Sequence, residues 1–236
     1  MLEIFPQGGL SGSVIVPIWV GVCIIAWFNL RLGWVLSGLV VPGYLVPLLM
    51  LKPWSAIVIL IEAILSYLLV YGYSEVLSRR LGFTNFFGRD RFFALLVVSV
   101  LVRLVIDVFS MPLLGEYLHS NWGITFDYRN DFHSFGLIIV ALIANQLWKP
   151  GLRAGLPTIF IPIALTWLVV RFGLMEYTNF NIGNLGYMYE NLAASMESGP
   201  KAYIILLTTA YIASYYNLKY GWEYSGIVIP ALLALV

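Results

Sequence analysis

Charge is scarce in this chain. Asp, Glu, Lys and Arg make up 11% of its 236 residues, well below the quarter usual in soluble domains, while 61% are hydrophobic and the mean hydropathy is +0.88. An ordinary water-soluble domain is excluded. A net charge of +1 leaves no basic excess for nucleic acid. Cysteine occurs once, as Cys23 inside an apolar run, which rules out a disulfide framework or a cysteine metal site. His119 and His133 have no helical metal-ligand spacing, so no metal is expected. The opening MLEIFPQGG carries an acid and no base, so it lacks the first part of a cleavable signal peptide and the first helix is expected to stay. Nucleophile elbow, phosphate-binding loop and zinc motif are all missing, so neither covalent chemistry nor a cofactor is expected.

Long apolar runs fill the rest. Several reach the roughly 17 to 25 residues that a helix needs to cross a bilayer, where a β-barrel would show short alternating segments. The sequence predicts an all-α polytopic transmembrane bundle of about seven to eight helices, at 14–30, 34–51, 54–77, 92–109, 133–148, 155–172, 201–217 and 222–236. If all cross, one side carries Arg31, Arg79, Arg80, Arg89, Arg91, Lys149, Arg153 and Lys219, the other only Lys52, Arg129, Arg171 and Lys201. The basic side is then cytoplasmic and the N-terminus outside. Residues 110–132 and 173–200 become outer loops, rich in Tyr, Asn and Gly.

Two stretches repeat each other: FNLRLGWVLSGLVVP at 28–42 and YNLKYGWEYSGIVIP at 216–230. They share Asn29/Asn217, Leu30/Leu218, Gly33/Gly221, Trp34/Trp222, Ser37/Ser225, Gly38/Gly226, Val40/Val228 and Pro42/Pro230. Six spans separate them, so the internal repeat is parallel. Each reads as a basic turn, an interfacial tryptophan and an inward-going helix. Pro42 lies about 12 Å beyond Trp34, near the midplane of a core about 30 Å thick. A proline-broken helix there exposes free N–H groups and a positive dipole end, a suitable site for an anion. Gly38, Pro42, Gly43, Tyr44, Gly226 and Pro230 are therefore candidate substrate-path residues. In the plainer alternative, Gly38 and Gly226 let helices approach closely and the prolines merely kink them.

Glu62, Arg103 and Asp107 stand inside apolar spans, where charges are costly and either paired or functional. Arg103 and Asp107 are four apart on one helix, and Glu62 falls at the depth of Arg103, about 18 Å from the basic side. They form either a neutral cluster that pins the bundle or an anion path through Arg103 tuned by the two acids.

SGLVVPGYLVPLL, then FFGRDRFFALLVVSVLVRLVIDVF, then FGLIIVALIANQLWKPGL resemble, in order and spacing, the PgsC/CapC family, the membrane subunit of bacterial poly-γ-glutamate synthase. The family's motifs fall on Gly38 to Tyr44, on Gly88, Arg89, Arg91 and Phe92, on Arg103 and Asp107, and on Gly136 to Asn145 with Gly151. The resemblance covers about 14–172, with Asp90 replacing a usual basic residue and Ala141 and Leu142 replacing a frequent proline and glycine. It implies a transmembrane domain over 1–175, an outer loop at 176–200 and the truncated start of a second repeat at 201–236. The last run, fifteen residues from Trp222, is short for a span, and the chain reads as cut inside an eighth helix. That arrangement looks like longer relatives whose duplicated membrane domain is joined to an inactive transglutaminase-like domain.

The resemblance further implies a non-catalytic subunit in the bacterial cytoplasmic (inner) membrane, in contact with membrane lipids. Its partners would be a cytoplasmic ATP-dependent glutamate or amide ligase, Mur-ligase-like or ATP-grasp, and an anionic polypeptide, with no nucleic acid and with homo-oligomers allowed. The ligase would dock on the basic turn at Gly88, Arg89 and Arg91. Two other readings are a proton-coupled secondary transporter of a small anion, with Glu62 or Asp107 carrying the proton, and a structural anchor for an attached domain.

Overall fold

The computed structural model describes residues 2–5, 10–13, 15–34, 41–51, 53–77, 80, 88–123, 135–182 and 200–220. Among them the structure is helical, apart from an isolated parallel bridge between Leu2 and Thr178. The helices are α1 (Ile15–Leu32), α2 (Val41–Leu51), α3 (Pro53–Tyr71), α4 (Gly88–Val105), α5 (Met111–Trp122), α6 (Phe135–Trp148), α7 (Gly151–Leu168), the short α8 (Met175–Tyr177) and α9 (Pro200–Tyr220). π-helical turns at Gly72–Leu77, Ile106–Ser110 and Val169–Leu174 extend α3, α4 and α7. Four runs are long and apolar enough to cross a membrane: Ile15–Leu32, Pro53–Glu75, Arg91–Trp122 and Gly151–Tyr177. Shorter apolar helices occupy Val41–Leu51, Ile138–Trp148 and Tyr203–Tyr216. The all-helical membrane architecture expected from composition is what the chain adopts.

One boundary differs. The fourth span was expected to end at 109, with an outer loop from 110, but the helix continues through α5 to Trp122. The Met111 N–H reaches back five residues to the Ile106 carbonyl, and Pro112, which has no N–H to offer, sits in the first turn of α5 where none is needed. The extension ends at Gly123, whose left-handed conformation (φ 63°) lets its N–H donate to the His119 carbonyl at 3.3 Å. At 32 residues the run is about 48 Å long, more than the hydrocarbon core, and its last turns carry exposed Glu116, His119 and Ser120.

The chain forms two compact units that interleave in sequence, Met1–Val58 with Asn145–Asn191 and Ile59–Ala144 with Leu192–Val236. In the first, α1, α2 and α7 pack on one another. α2 is its centre, with every residue from Val41 to Leu48 except Tyr44 buried. An N-terminal strap closes the unit: the Leu2 N–H donates to the Tyr177 carbonyl at 2.8 Å, and the Asn179 N–H to the Leu2 carbonyl at 3.1 Å. The Asn179 side chain grips the Phe5 backbone, donating from Nδ2 to its carbonyl at 2.7 Å and accepting from its N–H at 3.0 Å. The start of α1 and the end of α7 therefore share one side. Leu30, Trp19 and Trp27 point outward, as lipid-facing positions should.

In the second unit the core joins Phe92, Leu96 and Val100 of α4, Ile138 and Ala141 of α6, and Leu206 and Ala210 of α9. Lipid tails are as apolar as these side chains, so tight packing and internal hydrogen bonds hold such helices together more than the removal of apolar surface from water.

Candidate functional site

In the first repeat copy, α1 ends at Leu32, and Gly33 adopts the left-handed conformation (φ 63°) with its N–H donated to the Asn29 carbonyl at 3.0 Å. Only glycine takes that conformation at no steric cost. Trp34 then stacks on Phe28, ring centroids 4.9 Å apart and 13° from parallel. The Asn-Leu-x-x-Gly-Trp part of the repeat is thus a helix stop with an aromatic clasp. In the second copy, α9 runs to Tyr220, one residue before Gly221.

Pro42 and Gly43 occupy the first turn of α2 and are buried. A Cβ on Gly43 would collide with the Ile18 Cα and lie 2.8 Å from the Pro17 carbonyl oxygen, while one on Gly21 would lie 2.6 Å from the Gly43 nitrogen. Here α1 and α2 cross with backbone against backbone. Tyr44, half-buried, follows at once. Gly38, Gly226 and Pro230 lie outside the described residues.

Glu62 of α3 and Arg103 of α4 lie deep in the second unit, 0% and 2% exposed. Desolvating an ionised side chain costs several kcal/mol unless neighbouring groups compensate, so two such residues in one unit are a costly arrangement. Other polar groups share this interior: Ser66, one turn beyond Glu62 and fully buried, and Ser99, whose hydroxyl donates to the Leu96 carbonyl at 2.8 Å. The backbone of Asp107 lies in the π turn after α4, a kind of distortion that recurs at functional sites. Its side chain lies outside the described residues, as does that of Arg89, next to Gly88 at the start of α4. Arg91 is half-buried one turn before Leu95.

Gln146 was not singled out in the sequence. Pro162, inside α7, cannot donate to the Thr158 carbonyl one turn back, and the Gln146 side chain donates to that oxygen instead, at 3.4 Å. A glutamine in an apolar run facing a proline-containing helix is a signal that could have found it.

Exposed Arg31, at the end of α1, and Lys149 and Arg153, at the turn into α7, share one end of the first unit, while Arg171 lies toward the other. The strap, which puts the start of α1 beside the end of α7, requires this segregation. Among the described residues, no three His, Cys, Asp or Glu side chains gather as a metal site.

Fold and site together define a polytopic helical membrane protein with ionisable residues buried in its bundle. Residues 20–156 match the family model described as capsule biosynthesis CapC, and the chain belongs to that family. It is 29% identical over 152 residues to the capsule biosynthesis protein CapC of Bacillus anthracis, covering 64% of this chain and 89% of that one. It is 31% identical over 133 residues to the PGA biosynthesis protein CapC of Bacillus subtilis (strain 168), covering 56% of this chain and 76% of that one. No solved structure gives a significant match.

Proposed function

We propose that this chain is a non-catalytic membrane subunit of a capsule or poly-γ-glutamate synthesis complex. It anchors an ATP-dependent amide ligase at its basic end and assists passage of the acidic polymer. The reading rests first on family membership, with two relatives whose names refer to capsule and PGA biosynthesis. The observation that carries the mechanism is the fully buried Arg103, in the same unit as buried Glu62. A guanidinium remains charged at any accessible pH and matches carboxylates bidentately, so it suits transient contact with a chain of glutamates. Glu62 offsets its charge and keeps the polymer from binding too tightly. The basic turn with Gly88, Arg89 and Arg91 offers an acidic ligase surface its partner. In this reading the membrane is the bacterial inner membrane, with the basic ends in the cytoplasm.

The packing of α1 on α2 favours a second reading for Pro42 and Gly43. Both are buried at a backbone crossing, which is what an anchor requires of them.

The test is a pull-down of the tagged full-length protein from membranes, with mass spectrometry of partners and an ATP-dependent glutamate-incorporation assay on the eluate. A co-purifying ligase and acidic polymer are expected, and Arg103→Lys, which keeps the charge but loses the bidentate fork, is expected to reduce polymer export at unchanged membrane level and ligase recovery. A lone protein with no ligase and no polymer would overturn the complex. Normal export by Arg103→Lys would overturn the role of Arg103.

A further inference from the structure

An elongated cavity of about 1080 Å³ runs along α4 in the second unit, flanked by α3 and, at one end, by α9. Its lining extends along α4 and its π turn from Phe93 to Ser110, eighteen residues that span about 26 Å, close to the full thickness of a hydrocarbon core. Along that length the described wall is aliphatic and aromatic, broken only by serine and tyrosine hydroxyls. The two ends differ. Tyr73 lies in the π turn that ends α3 and Phe93 near the start of α4, the next described helix, so the two share one end of the cavity. The Phe93 and Tyr211 rings meet there, centroids 6.3 Å apart, with Tyr215 one turn further along α9. Exposed Lys219 follows one more turn beyond Tyr215, on the same helix face, and Arg91 precedes Phe93 by two residues. This end therefore pairs tyrosines with a cation, the side chains that mark headgroup depth, whereas the far end is lined on α4 by Ile106 and Ser110.

We infer that this groove binds the acyl chains of an anionic phospholipid, with the phosphate held at the Tyr215 and Lys219 end. The described wall stays apolar over about the length of a hydrocarbon core, which acyl chains lying along α4 match. Charge selects the headgroup, because Lys219 stands one turn beyond Tyr215 on the same helix face and no acid lines the described wall. The proposal stands apart from the proposed function and from the buried Glu62 and Arg103.

The full-length protein is reconstituted into phosphatidylcholine vesicles containing a minority of phosphatidylglycerol, extracted in mild detergent and weighed by native mass spectrometry. Retained phosphatidylglycerol is expected on the wild type. Ala94→Phe, which fills the groove from a lining position, is expected to remove it while leaving the size-exclusion profile unchanged. Lys219→Gln, at an exposed position, is expected to reduce the preference for phosphatidylglycerol over phosphatidylcholine about fivefold, the equivalent of roughly 1 kcal/mol for one basic residue at a charged surface. Equal lipid retention by folded Ala94→Phe overturns the site. Should Ala94→Phe fail to fold, the lysine variant decides, and an unchanged headgroup preference overturns the proposal. A lipid-free dimer that Ala94→Phe splits into monomers would assign the groove to a second copy of the chain and would also overturn it.

Discussion

The two compact units solve the same problem in opposite ways. The first brings α1 and α2 together through Gly21 and Gly43, so closely that neither position has room for a methyl group, and straps its ends with Asn179. The second buries Glu62 and Arg103 and leaves a long groove beside α4. Backbone contact needs no polar partner and tolerates no variation in size. Buried ionisable groups tolerate some variation in shape but none in charge balance. The first unit should therefore fail by steric change and the second by electrostatic change.

The sharpest way to break this contrast lies in the second unit. Glu62→Ala or Arg103→Ala should each lower the stability of the detergent-solubilised protein by about 3–5 kcal/mol, the cost of leaving a buried charge uncompensated. The double change Glu62→Gln with Arg103→Gln should recover part of that loss, as read by thermal unfolding. A double variant no better than the worse single one would separate the two residues energetically. Next, Gly43→Leu should cost about 3 kcal/mol through overpacking at the α1–α2 crossing and deplete the protein from membranes, measured by immunoblot and fluorescence size-exclusion. Gly43→Leu at normal membrane level would remove the steric half of the contrast.

A smaller effect is expected from Gln146→Leu, which leaves the Thr158 carbonyl without its side-chain donor and should cost about 1–2 kcal/mol. In a Pro162→Ala background α7 supplies its own donor, and the same change should be nearly neutral. Unfolding midpoints of the four proteins in that cycle measure the coupling. The smallest effect belongs to Gly33→Ala, about 1 kcal/mol for forcing a side chain into the left-handed conformation at the end of α1, visible as a small drop in midpoint.

Much of this architecture was legible in the sequence. Composition fixed the solvent, and the positions of α1, α3, α6, α7 and α9 followed from hydrophobic runs alone. The family resemblance rested on motifs that the family match at 20–156 supports. Residues 110–132, rich in Tyr, Asn and Gly, read as a loop, yet the helix runs on to Trp122 because Pro112 falls in a first helical turn that it does not break. The partner of Gly43 was illegible for a different reason. Gly21 carries no side chain and sits in an unremarkable apolar run, so nothing in local pattern marks it as the point where another backbone arrives. Glu62 and Arg103 were legible as buried charges because membranes make charge rare. Gln146 was not, because its task is set by a proline sixteen residues away in another helix. The four identities that the two copies share around Gly33 and Gly221 read as a basic turn, and in the first copy α1 stops there.

The Asn179 clasp joins residues 174 positions apart in sequence, and the unit it closes is interrupted by most of the other. During synthesis, α1 and α2 leave the ribosome long before α7 and Asn179 exist. At ordinary elongation rates the delay is on the order of 10 s. For that interval two glycine-bearing helices wait in the bilayer with their third helix missing. Translation speed and the insertion machinery, as much as the finished contacts, thus govern how much of this protein reaches its native state.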